Sequence, residues 1–256
     1  MNYQTIVYEE QEQTGVITLN RPEKANALSR EMIAELTDCF RRAGEGRTAR
    51  VLVVRGAGRH FCAGHDLAEL RGRPAEAGLT FEECSRLMML LHQVPQPVIA
   101  QVHGTATAAG CQLVAACDLA VAEEGARFAT PGVKIGLFCS TPMVPLSRAV
   151  GRKPALEMLF TGDFVSADQA RAIGLVNRVV PAARLEEETR ELARRVAASS
   201  LIVLELGKQA FYTQARLTGE AAYQYATAVM TRNAGMEVAA EGIDAFLEKR
   251  APVWPD

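Results

Sequence analysis

The chain has 256 residues, 48% hydrophobic and 23% charged, enough to bury a substantial core without staples. Its 28 Lys and Arg against 30 Asp and Glu leave a formal net charge of −2, with no electrostatic footprint for nucleic acid and no basic run suited to a membrane surface. No stretch nears the roughly 18 unbroken apolar residues of a membrane span.

Residues 15–22, GVITLNRP, alternate like a strand and stop at a proline. Residues 29–43 put Met32, Ile33, Leu36 and Phe40 on one helical stripe, with Ser29 as N-cap. RVLVVRG at 50–56 is a short branched run, predicted as a buried strand. A helical pattern covers about 80–93, and QPVIAQVHG at 96–104 is again a strand. The small-residue segment TATAAGCQLVAACD at 105–118 follows, then DLAVAEE at 118–124. SADQARAIG, from Ser166, is a short helix ended by Gly174, and LVNRVVP at 175–181 is one more strand. From Leu185 onward the apolar spacing is helical. Strands alternating with helices predict an α/β layered fold, with a mainly helical C-terminal third.

Six cysteines, Cys39, Cys62, Cys84, Cys111, Cys117 and Cys139, form no C-x-x-C pair and no zinc spacing, so no metal is expected. They read as reduced thiols, which together with an N-terminus lacking a secretion pattern predicts a cytoplasmic location.

Two loops share a logic. GAGRHFCAGHDLAEL at 56–70 and HGTATAAGCQL at 103–113 each follow a predicted buried strand and place small residues before a helix. Glycines permit close backbone approach. The first N–H groups of a helix lack internal partners. Side by side, the loops would aim two amides at one oxygen, the geometry of an oxyanion hole. The alternative is a pair of tight turns with packing roles only. Neither loop fits a P-loop or a dinucleotide fingerprint.

NRPEKANALS (20–29), HFCAGHDL (60–67), PVIAQVHGTATAAGCQL (97–113) and CDLAVAEEGARFATPGVKIGL (117–137) resemble, in order and spacing, the motifs of the enoyl-CoA hydratase (crotonase) family. The likeness runs from about residue 5 to the end, and ATAAGCQLVA and GLFCSTP resemble its vertebrate "domain-containing" subgroup in particular. The resemblance implies a crotonase-like spiral of ββα units over 1–195, carrying an acyl-CoA site. It also implies a C-terminal helical oligomerisation region over 196–256 and a homo-trimer or dimer of trimers. No permanently bound cofactor is expected; coenzyme A enters as part of the substrate. By position, the backbone amides of His65 and Ala109 would polarise the thioester carbonyl. CoA contacts would fall on Lys24, Ala25, Ala27, Ala63, Asp66 and Leu67, completed by Phe246 and Lys249 of a neighbouring subunit.

The family's two hydratase glutamates fall on Gln112 and Gly132. An amide is no base near neutral pH and glycine has no side chain, so hydration should be weak. Dihydroxynaphthoyl-CoA synthase, a family member, resembles the chain in a segment that puts its Asp position on Cys139. Cys139, Ser140 and Thr141 are therefore pocket candidates; alternatively Ser140 or Thr141 caps a helix before Pro142. The His65 imidazole either faces the ligand or packs. Asp66 either binds the nucleotide or caps the next helix, and Lys24 and Arg21 are candidates for CoA phosphates. Two other functions compete with a hydratase/isomerase-type enzyme. One is a non-catalytic acyl-CoA-binding or regulatory protein, the other a thioester hydrolase or decarboxylase on the same scaffold.

Overall fold

The computed structural model describes residues 3–72 and 74–255. Strands β1 (Ile6–Gln11) and β2 (Thr14–Leu19) form an antiparallel hairpin. Helix α1 (Arg30–Gly46) buries Met32, Ile33, Leu36, Cys39, Phe40 and Ala43, one stripe at helical spacing. Its start is fixed by Ser29, whose hydroxyl accepts from Met32 N at 3.2 Å. Next come β3 (Val51–Gly56), the single turn α2 (Leu67–Leu70) and α3 (Pro74–Gln93), which begins some six residues before the periodic pattern. The spiral then repeats. β4 (Val98–Val102) and β5 (Thr105–Thr107) lead into α4 (Ala109–Ala116). β6 (Leu119–Glu123) and β7 (Arg127–Ala129) lead into α5 (Met143–Ala149) and α6 (Arg152–Thr161). β8 (Val165–Ser166), α7 (Ala167–Ala172) and β9 (Arg178–Val180) close it. Ser166 caps α7 in a reciprocal capping box with Gln169.

Each consecutive pair β4–β5 and β6–β7 sends one strand to each of two sheets. A six-stranded sheet runs β1-β2-β3-β4-β6-β9, parallel after the first hairpin, and a three-stranded sheet runs β5-β7-β8. This is the expected spiral of ββα units. The run Val51–Val54 is buried on both faces, as a strand in the middle of a parallel sheet must be. Leu52 and Val54 join the main core, while Val51 and Val53 pack with Leu185, Ala193 and Ala197 of α8 (Leu185–Ala197). The 195/196 boundary therefore lies inside a helix that covers the sheet. Helices α9 (Leu201–Gln214), α10 (Gly219–Ala234) and α11 (Glu237–Glu248) follow, and α10 buries none of its residues. Among the described residues no helix is long and apolar enough to cross a membrane.

Candidate functional site

The two loops are stitched together main chain to main chain. Phe61 N donates to His103 O at 3.1 Å, Cys62 N to Thr105 O at 3.1 Å and Thr107 N to Cys62 O at 2.9 Å. The Thr107 hydroxyl donates to Ala63 O at 3.0 Å. Glycines make this contact possible. A Cβ on Gly110 would lie 2.1 Å from Cys62 O, so only glycine lets α4 start against the first loop. Gly64 has φ +99°, and a Cβ there would lie 2.9 Å from Ala108 Cβ and 3.2 Å from Ala109 N.

Ala108 itself is held at φ 49°, ψ −117°, a conformation that costs an L-residue about 1–3 kcal/mol. Two bonds hold it there: Ala108 N donates to Ala129 O at 2.9 Å, and Gln112 N donates to Ala108 O at 2.9 Å. The strained turn makes Ala109 the first residue of α4, where its N–H has no intrahelical partner. On the other loop, Leu28 N donates to Gly64 O at 2.7 Å and Asp66 N to Leu28 O at 3.1 Å. In such a parallel bridge the intervening His65 N–H belongs to the edge facing away from Leu28. Among the described residues neither His65 N nor Ala109 N has a protein acceptor.

A third loop, 21–27, backs the first. Ala25 and Asn26 are both left-handed, with φ 49° and 53°. The fully buried Asn26 side chain accepts from Arg21 N at 2.9 Å and donates to Ala57 O and His60 O at 2.9 and 2.8 Å. Ala63 N donates to Ala25 O at 3.0 Å. These bonds set the segment 24–27 against 63–67, with Ala25 bonded to Ala63; the expected CoA positions are Lys24, Ala25, Ala27, Ala63, Asp66 and Leu67. Of these, Lys24, Ala63 and Leu67 are exposed. Arg21 donates to Ala27 O at 2.8 Å and pairs with Asp66 at 3.2 Å, so it ties the loops together. Asp66 also caps α2, accepting from Ala68 N at 3.2 Å.

Behind the loops, Gln112 is 3% exposed and its Oε1 is buried without a partner. Gly132 sits in a short 3₁₀ turn, Pro131–Ile135, where Leu137 N donates to Gly132 O at 3.0 Å. A Cβ at Gly132 would lie 2.0 Å from Leu137 O and 2.9 Å from Cys139 Sγ. The position thus lacks the space for a carboxylate as well as the carboxylate itself. Cys139 is buried and burial pushes its thiol above the usual range. Neither Ser140 nor Thr141 caps α5; Pro142 holds the N-cap position, and the Ser140 hydroxyl donates to Phe138 O at 3.4 Å. The His65 ring meets Phe81 edge-on at 5.3 Å, its Nε2 is buried without a partner, and burial lowers its pKa to about 4. It is neutral at physiological pH.

Phe246 and Lys249 lie on and at the end of α11, with Phe246 82% exposed. A cleft of about 450 Å³ runs beside Phe246, Ile243 and Trp254, and another of about 390 Å³ lies beside Tyr212 and Asp118. The first lies among the C-terminal helices, the second where α9 meets Pro97 and Asp118. No cluster of metal-ligating side chains occurs among the described residues. A buried network escaped the sequence reading. Lys208 Nζ donates to Leu91 O, Gln96 O and Asp118 at 2.6, 2.8 and 2.7 Å, and Tyr212 donates to Asp118 at 2.7 Å. His92 stacks on Tyr212 at 3.9 Å. Nothing in the residue spacing flags this pairing, since Asp118 and Lys208 are far apart in the chain.

The enoyl-CoA hydratase/isomerase family profile matches residues 9–256. The chain belongs to this family. It is 48% identical over 248 residues to the enoyl-CoA hydratase domain-containing protein 3, mitochondrial, of Danio rerio, covering 95% of this chain and 86% of that protein. Its fold superposes on a Mycobacterium smegmatis enoyl-CoA hydratase crystal structure with a TM-score of 0.96, at 46% identity over 99% of this chain and 100% of that one. The human enoyl-CoA hydratase domain-containing protein 3 crystal structure gives 0.95, at 44% identity over 98% and 100%. The cytoplasmic expectation is corrected by the enoyl-CoA hydratase domain-containing protein 3 relatives of Rattus norvegicus, Mus musculus, Danio rerio and Homo sapiens, each named mitochondrial. Reduced thiols and a missing secretory pattern separate secreted from intracellular proteins, and carry no information about the organelle.

Proposed function

We propose that this member of the enoyl-CoA hydratase/isomerase family binds an acyl-CoA thioester, with the main-chain amides of His65 and Ala109 donating to the thioester oxygen. The two amides come from loops in direct contact and have no acceptor of their own. CoA lies along Lys24, Ala25, Ala27, Ala63, Asp66 and Leu67. Phe246 and Lys249 reach it from a second subunit. The bare faces of α10 and α11, with Tyr223 80% and Met230 76% exposed, support a homo-trimer or dimer of trimers.

The observation that carries the reading is the pair Gln112 and Gly132. One is an amide and the other has no room for a side chain. General acid–base catalysis typically supplies about 10²–10⁴-fold, and neither position can supply it. The protein is therefore an acyl-CoA binder with weak hydratase activity. The same observation favours the second reading, a non-catalytic binding protein. Thioester hydrolysis through Cys139 loses support, because its buried thiol is held protonated. Crotonyl-CoA separates the outcomes. Calorimetry should show binding while the enoyl absorbance stays nearly constant. Rapid hydration would overturn the proposal.

A further inference from the structure

The chain from Val98 to Asp118 is one excursion. It enters through β4, passes β5, turns at Ala108 and leaves along α4, with Ala109 at the helix start. Its two ends are clasped on a single carboxylate, because Val98 N donates to Asp118 Oδ2 at 2.7 Å. The other partners of that carboxylate come from α9, outside the excursion. Lys208 Nζ lies 2.7 Å from Oδ2, and the Tyr212 hydroxyl donates to Oδ1 at 2.7 Å. Lys208 is 8% exposed, and it also donates to Leu91 O, in the last turn of α3, and to Gln96 O, two residues before β4. The exit of α4 is held a second time. Ala116 O belongs to the last four carbonyls of the helix, which have no intrahelical donor. It accepts from His92 Nε2 at 3.0 Å, and the His92 ring stacks on Tyr212 at 3.9 Å. Asp118, Lys208, Tyr212 and His92 thus form one polar cluster behind α4, at the end opposite Ala109 N.

We infer that Tyr212, Lys208 and His92, acting through Asp118 and Ala116 O, are positioning residues for the Ala109 amide. This rests on the acyl-CoA reading above and adds to it groups on α3 and α9, behind the two loops. Apolar packing alone would hold α4 without fixing its direction. Hydrogen bonds fix angle as well as distance, since they weaken steeply when bent. The helix has only eight residues, so Ala116 lies about 10.5 Å of rise behind Ala109. Near its front it bears on the first loop, where a Cβ on Gly110 would meet Cys62 O at 2.1 Å. A short rod resting on backbone at the front has its tilt set by whatever grips the rear. A shift of about 2 Å at Ala116 turns the rod by roughly 10°, the scale at which a preorganised site loses its geometry. The C-terminal helical region therefore serves the oxyanion donor of its own chain through α9.

The test reads the carbonyl itself. Butanoyl-CoA with an isotope label at its thioester carbon is bound to the full-length protein, and the carbonyl stretch is followed by isotope-edited infrared spectroscopy. Two amide donors should lower the stretch relative to free butanoyl-CoA. Tyr212→Phe keeps the ring on His92 and removes one bond to Asp118. His92→Phe keeps the stack and removes the bond to Ala116 O. Each variant should lose about a third or more of the wild-type lowering, because a misaligned donor polarises its acceptor less. Free CoA, which has no acyl carbonyl, should bind both variants within about threefold of the wild type. His92→Gln, whose amide can donate to Ala116 O, should recover most of the lowering lost in His92→Phe. Should one variant fail to fold, the other decides. A lowering kept in full by the variants would overturn the inference and leave the acyl-CoA reading intact. So would an equal loss of affinity for free CoA, the mark of general loosening. No lowering in the wild type, or no binding of butanoyl-CoA, would overturn both.

Discussion

Gly132→Ala is the smallest change that probes why this chain lacks a hydratase carboxylate. The new Cβ would sit 2.0 Å from Leu137 O, and backbone rather than a flexible side chain stands in the way. Leu137 would have to retreat by about 1 Å to reach even a short tolerated contact. That movement stretches the Leu137 N to Gly132 O bond that closes the turn at 3.0 Å. Overpacking typically costs about 1–3 kcal/mol and a lost hydrogen bond about 1 kcal/mol. A total of about 3 kcal/mol corresponds to a melting point lowered by roughly 6–12 °C for a domain of this size. The assay is thermal unfolding followed by circular dichroism. Gly151→Ala is the control, because its nearest neighbour, Pro154 Cδ, lies at 3.8 Å. If Gly132→Ala melts within a degree of the wild type, the turn yields freely and the steric argument fails. Gln112→Glu combined with Gly132→Glu should not restore hydration, since the second glutamate distorts the turn that should aim it.

Gly110→Ala should sharply weaken CoA-thioester binding, measured by calorimetry, because its Cβ would meet Cys62 O at 2.1 Å and push the two loops apart. Lys208→Met should destabilise the fold by about 3–5 kcal/mol in denaturant titrations, because Asp118 would keep its burial and lose its cation. The His65 pKa, lowered to about 4 by burial, implies a pH effect. The unfolded chain binds this proton from about pH 6.5 downward while the native state refuses it until about pH 4, so stability falls as pH drops through that window. The full contribution is at most about 3 kcal/mol. Melting curves of His65→Ala should show a shallower loss between pH 6.5 and 4 than the wild type, and an identical slope would remove the argument.

Local signals predicted the elements whose cause is local. Ser29 and the 3.6-residue stripe behind it placed α1, and the branched run at 51–54 placed β3, because capping and burial act within a few residues. The two loops were legible as strand, small residues, helix. The three-residue strands β5 and β7 were not, since they exist by pairing with distant segments, β5 with β7 and with Cys62, and β7 with β8. α3 begins at Pro74, ahead of the periodic pattern, because its first turn is mostly exposed and carries no apolar stripe. The strain at Ala108, the pin formed by Asn26 and the absence of space at Gly132 all come from contacts between distant segments. Spacing names the residues that stand in the glutamate positions. Only the packing shows that one of those positions has no space.

A crystal structure of the protein with butanoyl-CoA measures directly where the thioester oxygen comes to rest. The oxygen should lie within about 2.7–3.1 Å of both His65 N and Ala109 N, with CoA along the 24–27 and 63–67 loops. An oxygen in contact with neither amide, or CoA bound in a cleft of the C-terminal helices, would contradict it.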